Sequence, residues 1–313
     1  MGAVDRIREA IAFEMAENAV SRSPDSFLHW ALDRIAETSP WQRVFYGCGS
    51  IRNGLHFALD SGLGNEAMQH LRDGWRSSSL SVAGIRYAGQ PLILTETLTD
   101  AEIQADDYLT QSQRQFGVLP VAFISGEGAF AGLTDTLQVL ANPGEVANEG
   151  QKELLWQMFA AIRLGLRVSV QSTIKEVGSA SKYEVLGIVD QLGFSYGKSN
   201  ISDDDRESIV TALTIAADLD EGSESQKKAF QFDDLVLTPL GPLCLVQKER
   251  QLDVVSLLSP REREIAKKIA QGKTYKTIAA DLGIAVSTVS NLTVRIRRKL
   301  DLGSREEIAA LFN

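Results

Sequence analysis

The sequence predicts a multidomain chain in which an α+β region precedes an all-α domain of four short helices, and three observations predict it. The chain has 313 residues, about twice the usual single-domain length, so two or three domains are expected. Apolar residues recur with both strand and helix periods through the first 250 residues but only with a helical period in the last 55 or so. Charge also divides. The whole chain carries −9, yet from Arg250 onward 12 Lys or Arg face 7 Asp or Glu (+5), leaving 20 basic and 34 acidic residues (−14) before it. A basic tail on an acidic body suits a module for a polyanion joined to a module for something else. The expected boundaries are 1–175, 176–250 and 251–313.

Composition excludes several classes. With 44% hydrophobic and 23% charged residues there is ample core material and no low-complexity run. No run of eighteen apolar residues exists, and Asp5, Arg6, Arg8 and Glu9 stand where a signal peptide would be apolar, so a cytoplasmic chain without a membrane partner is expected. Cys48 and Cys244 match no metal or disulfide spacing and read as small buried hydrophobes. His29, His56 and His70 lack ligand spacing, no Gly-x-Ser-x-Gly elbow occurs, and no pair of acidic residues follows an apolar strand as in phospho-acceptor domains. Gly193-Phe194-Ser195-Tyr196-Gly197-Lys198-Ser199 is one residue short of a phosphate-binding loop and is followed by Asp203, Asp204 and Asp205, so it reads as a hairpin turn. No catalytic residue, metal or cofactor is expected.

Along the first region, Phe27, Leu28, Ala31, Leu32 and Ile35 form one side of a helix over Pro24–Thr38. Strands are expected at 43–49 and 54–60, a helix at 65–77, a strand at 91–96, and a helix at 100–116. A strand pair at 118–125 and 133–141 follows, then a long helix at 151–173 with the stripe Leu154, Leu155, Met158, Phe159, Ile162 and Leu166. This order of helix, strands, cross-helices, strands and a long closing helix resembles a GAF- or PAS-type sensor fold. Trp41, Phe45, Tyr46, Phe57, Trp75 and Tyr87 are the candidate lining of a ligand pocket, since aromatics give flat contact area to small molecules; core packing is the alternative. The long closing helix either pairs with its copy in a second subunit or lids its own sheet. From 176 to 250 a hairpin at 183–195, a helix at 203–218, an acidic Ser-rich loop at 218–225 and two strands within 231–247 read as a small PAS-like module or a linker.

Ser259-Pro260-Arg261-Glu262 is a capping box opening a helix with Ile265, Ala266, Ile269 and Ala270 inside, ended by Gly272. Thr274 caps a second helix with Ile278, Ala279 and Leu282 inside. Gly283 and Ile284 lead to a third helix with Val289, Leu292, Ile296 and Leu300 inward. Its outer side carries Ser290, Asn291, Arg295, Arg297, Arg298 and Lys299. Ser304-Arg305-Glu306-Glu307 is a second capping box before Ile308, Leu311 and Phe312. A helix-turn-helix needs a small residue at the helix contact and, four positions on, one tolerant of positive φ; Ala279 and Gly283 fill these places.

These segments, with Ile278-Ala279-Ala280-Asp281-Leu282-Gly283-Ile284, Thr288-Val289 and Arg298-Lys299-Leu300, resemble the LuxR-type DNA-binding domain over about one sixth of the chain. The resemblance implies that the third helix enters the major groove, that Ser290, Asn291 and Val294 face base edges, and that the fourth helix contributes to dimerisation. It implies phosphate contacts from Lys273, Thr274, Lys276, Ser287, Thr288, Arg295, Arg298 and Lys299. Two departures stand out: Ala285 replaces the usual Ser or Asn cap, with Ser287 as a substitute. Ser290, Leu292 and Thr293 replace basic residues and a His. Asn291 is the best base reader, because an amide bonds adenine at two points.

The expected function is a sensor region controlling a helix-turn-helix that binds double-stranded DNA as a homodimer. A small-molecule ligand or partner protein would act at the N-terminal region, and RNA polymerase is an open further partner. The Trp, Tyr and Asp-Pro set of acyl-homoserine-lactone receptors is not matched. The alternatives are a sigma-factor-like promoter-recognition protein and an interaction or enzymatic module with a degenerate helical tail.

Overall fold

A computed structural model describes residues 13–38, 43–50, 52–142, 144–180, 183–219, 228–249 and 257–312. The chain divides into two compact units, Met1–Glu249 and Arg250–Asn313. In the first, helices α1 (13–21) and α2 (Pro24–Thr38) precede strands β1 (Arg43–Ser50) and β2 (Gly54–Ser61). Then come α3 (Asn65–Gly74), α4 (Ser79–Arg86), β3 (Leu92–Ile93), α5 (Leu94–Thr97), α6 (Asp100–Ala105) and α7 (Asp107–Phe116). Strands β4 (Leu119–Glu127) and β5 (Thr134–Ala141) complete an antiparallel sheet of order β2-β1-β5-β4-β3, and α8 (Glu149–Ala180) follows.

Strand alternation sorts this sheet's side chains onto two apolar faces. Val44, Tyr46 and Cys48 point into a core closed by α2 and α8, while Phe45 points the other way, among Leu71, Leu80 and Leu109 of α3, α4 and α7. Gly165 is what lets α2 reach α8: a Cβ there would lie 2.1 Å from the Phe27 ring.

A second antiparallel sheet, of order β6-β9-β8-β7, is built from β6 (Tyr183–Asp190), β7 (Phe230–Phe232), β8 (Leu235–Leu240) and β9 (Leu243–Glu249). Helix α9 (Asp203–Leu219) covers one face through Ile209 and Ala212. From the other face Ile188, Leu243 and Leu245 join the same core as α2 and α8. The boundary expected at 175 therefore falls inside α8, with one apolar cluster on both sides of it.

Several expected elements differ. The helix expected over 100–116 is two, because Asp106 breaks it: its backbone is extended and its carboxylate caps α7 at the Leu109 N–H (3.1 Å) while also accepting from Ser79 N (2.6 Å). The strand expected at 91–96 is only Leu92–Ile93, since Leu94 is buried and starts a helical turn closed by Leu98 N–H to Leu94 C=O. The helix over 65–77 ends as a 3-10 turn at Trp75–Ser77, and an unexpected helix, α4, begins where Ser78 offers a cap. Three strands, not two, occupy the last part of this unit. The expected 183–195 hairpin is one strand and a tight turn, with Ser195 bridged only to Val189. The 218–225 loop lies outside the described residues from 220 on.

The second unit is four helices, α10 (Pro260–Ala270), α11 (Tyr275–Leu282), α12 (Val286–Leu300) and α13 (Arg305–Leu311), around Ile265, Ile269, Ile278, Val289, Ile296 and Ile308. Among the described residues of the chain, no single helix is long and apolar enough to cross a membrane.

Candidate nucleic-acid interface

Local chemistry sets each helix of the second unit. Ser259 and Glu262 form the reciprocal capping box of α10, at 3.3 and 2.8 Å. Thr274 caps α11 through the Thr277 N–H. Gly283 ends α11 at φ 62°, ψ 37°, a conformation that disfavours any residue with a Cβ. The Ile284 N–H bonds Ala279 C=O (3.0 Å), closing the C-terminal turn. Helix α12 then departs at 108° to α11, within the range of a helix-turn-helix.

Helix α12 is anchored from behind by Val289, Thr293, Ile296 and Leu300. Leu292 is only partly buried against this core, and Thr293 spends its hydroxyl on Val289 C=O (2.8 Å). Neither of these two positions, where the family resemblance implies basic or His residues, faces fully out. The N-cap Ala285 makes no side-chain bond, and Ser287 does not replace it: it is the second residue of the helix, exposed to solvent. The expected second capping box is half formed, since Ser304 accepts from Glu307 N–H while Glu307 accepts from Gly303 rather than Ser304.

The expected contact residues separate into two groups. Asn291, Val294 (50% exposed), Arg295 and Arg298 follow one exposed line along α12, with Ser287 and Thr288 at its start and the half-buried Ser290 on its edge. Lys276 is exposed on α11. Three others are engaged inside the domain. Lys299 holds Glu262 at 2.6 Å, and Lys273 holds Asp281 at 2.7 Å, a carboxylate that Lys268 also reaches. The Thr274 hydroxyl is the α11 cap. Burial opposes the charge of Glu262, yet the Lys299 and Ser259 bonds outweigh it and lower its pKa. Asp281 is lowered by Lys273 and then by Lys268.

The aromatic residues expected to line a ligand pocket are not brought together. Phe45 and Trp75 pack on one face of the first sheet, Tyr46 and Phe57 on the other; Tyr87 is 42% exposed, and Trp41 lies outside the described residues. A concavity of about 790 Å³ opens elsewhere, lined by Ser50, Arg52, Asn53, Glu127, Leu133, Thr134 and Phe194.

The first unit holds a buried polar network that sequence reasoning missed. Asp190 accepts from Tyr196 Oη (3.0 Å) and the Leu192 and Phe194 N–H groups, and pairs with His56 Nδ1 at 2.7 Å. His56 Nε2 meets Ser50 Oγ at 3.0 Å, and Cys48 Sγ meets Tyr196 Oη at 3.5 Å. The network ties β2 of one sheet to β6 of the other across 134 residues. Only its local half, an Asp opening a tight Gly-containing turn, leaves a signal in the sequence. Nearby Asp135 is raised by burial despite the Ala129 N–H at 2.8 Å. Its Oδ1 and the Tyr46 hydroxyl are both buried without a geometrically good hydrogen bond, and burial followed by the Asp135 charge pushes the Tyr46 hydroxyl up. Among the described residues no group of His, Cys, Asp and Glu could hold a metal ion.

With this geometry in view, residues 256–312 match the family model "Bacterial regulatory proteins, luxR family". The C-terminal unit is a LuxR-family DNA-binding domain. The family is one of regulators rather than enzymes. No curated protein matches the chain. Among solved structures, "SdiA in complex with octanoyl-rac-glycerol" aligns over 99% of this chain and 95% of its own at 10% identity and a TM-score of 0.37. A second structure, of Escherichia coli SdiA, aligns over 96% and 94% at 11% identity and a TM-score of 0.33. Likeness at that level is too low to transfer a fold or a ligand; the LuxR-family match rests on 256–312 alone.

Proposed function

We propose that this chain is a cytoplasmic transcription regulator in which the region before residue 250 senses a signal and α12 reads an operator as part of a homodimer. The observation that carries the reading is the exposed line Thr288, Asn291, Val294, Arg295 and Arg298, its side chains free of internal bonds among the described residues, on a helix held at 108° to its predecessor. Ser290, Asn291 and Val294 meet base edges, with the Asn291 amide the main reader. Lys276, Ser287, Thr288, Arg295 and Arg298 meet phosphates. Lys273 and Lys299 contribute less, because each would first have to leave a carboxylate.

The element order of the first unit supports a GAF/PAS-like sensor region that continues through α8 into the second sheet, since one apolar cluster spans both. A small molecule or partner protein acts there by favouring one of two arrangements, since only differential affinity shifts an equilibrium. RNA polymerase is the further partner such a regulator engages. Selection of duplexes from a random pool by the full chain tests this. The reading expects a two-fold symmetric consensus that relaxes at one base pair per half-site in Asn291→Ala. Recovery of no sequence above the input pool would overturn it.

A further inference from the structure

Helix α8 buries Leu155, Met158, Phe159, Ile162, Leu166 and Val170 against its own unit, yet its opposite side is not a solvated polar face. Trp156 is 47% exposed and Leu164 61% exposed, one turn either side of the small, exposed Ala160. Beyond them on the same line stand two exposed charges, Glu153 and Arg167. Side chains three or four residues apart share a helix face, so these five form one stripe.

The stripe is self-complementary about Ala160. Reversing the helix and laying it on itself there sets Trp156 against Leu164 of the partner subunit, Glu153 against the partner's Arg167, and Ala160 against its own copy. Each pairing occurs twice across the two-fold axis, save the central one. A parallel, in-register pair would instead set Glu153 on Glu153 and Arg167 on Arg167, two like-charge encounters. Ala160 at the crossing leaves room for a close helix approach, and the exposed Trp supplies the apolar anchor that interfaces favour. Arg167 Nε is held by Ala129 C=O, which fixes the side chain and leaves its two Nη nitrogens for a carboxylate.

We infer that the partner of α8 is a second copy of this chain, docked antiparallel through Trp156, Ala160 and Leu164 and registered by Glu153–Arg167 pairs. The inference rests on the homodimer of the proposed function and adds its surface and orientation. A helix pair alone covers less than the roughly 800 Å² per subunit of a standard stable interface, so the dimer is of moderate affinity and tightens on a two-fold operator.

Single cysteines introduced into the full chain test the register, since a disulfide needs Cβ atoms about 4 Å apart. The native Cys48 and Cys244 are both buried. Ala160→Cys should cross-link to itself on mild oxidation. Glu153→Cys and Leu164→Cys alone should not, while a mixture of Trp156→Cys and Leu164→Cys chains should. Sedimentation equilibrium supplies a second reading: Glu153→Arg weakens the dimer by about tenfold or more through like-charge repulsion. Adding Arg167→Glu restores it. Self-linkage at Glu153 as efficient as at Ala160 would show a parallel pair and overturn the inference. A wild-type dimer whose Ala160→Cys form never links would place the interface elsewhere, leaving the homodimer intact. A wild-type chain that stays monomeric in solution and on DNA would remove both.

Discussion

The two units hold their polar groups in opposite ways. In the C-terminal unit many polar side chains close local structure within a few residues, as Ser259, Thr274 and Ser304 do, or lie uncommitted on the surface, as Asn291, Arg295 and Arg298 do. Lys273 and Lys299 instead hold the carboxylates of Asp281 and Glu262. In the N-terminal unit the decisive polar groups are buried and joined over long stretches of chain, His56 to Asp190 foremost. A surface strip such as the one proposed to meet DNA is cheap to leave unsatisfied because water serves it until a ligand arrives. A buried pair has no such recourse, so losing one partner leaves the other stranded. The exposed line of α12 is thus tolerant of change, while the other unit is intolerant at its seam.

The largest expected effect breaks that seam. Asp190→Ala strands His56, Tyr196 and two backbone N–H groups, and should cost the first unit about 3 to 5 kcal/mol in a denaturant titration. The unfolding of the C-terminal unit, followed through Tyr275, should not shift; a coincident loss in both would mean that the units share one stability. On the other side, Asn291→Ala should leave stability unchanged while reducing discrimination at one base pair by about 1 to 3 kcal/mol. Equal affinities for cognate and substituted duplexes before and after the change would deny Asn291 a reading role.

Two smaller effects sharpen the contrast. Burial raises the folded pKa of Asp135 above that of the unfolded chain, so the folded state holds the proton more tightly and stability declines as pH rises through that value. Asp135→Asn, which offers an N–H to the Tyr46 oxygen, should gain about 1 to 2 kcal/mol at neutral pH, the advantage fading toward acid pH. A gain independent of pH would assign it to packing instead. Ala285→Ser supplies the missing cap of α12 and should raise C-terminal stability by about 1 kcal/mol. Thermal melts at several salt concentrations would check that the gain is not electrostatic.

The same contrast explains what could be read from the sequence. Ser259-Pro260-Arg261-Glu262, Thr274 and Gly283 act within four residues of themselves, so helix ends and the turn are legible there to the residue. Pro24–Thr38 is legible for the same reason, its apolar face being a local period. The 100–116 helix is misjudged from sequence because Asp106 caps α7 and bonds Ser78 and Ser79 at once, and only the folded chain brings those serines within reach. The aromatic set fails as a pocket because strand alternation sends Phe45 and Tyr46 to opposite faces. The commitment of Lys273 and Lys299 is likewise hidden, since Asp281 and Glu262 sit eight and thirty-seven residues away.

The central claim is that the free polar line of α12 is the surface that meets DNA. The most direct measurement is the salt dependence of full-chain affinity for its selected duplex, wild type against Arg295→Ala/Arg298→Ala. Removing one cation from a phosphate should lower the slope of log K against log salt by about one unit, so the double variant should lose about two units per subunit at unchanged sequence preference. An unaltered slope, with affinity equal to wild type at every salt concentration, would place the DNA surface elsewhere and contradict the account.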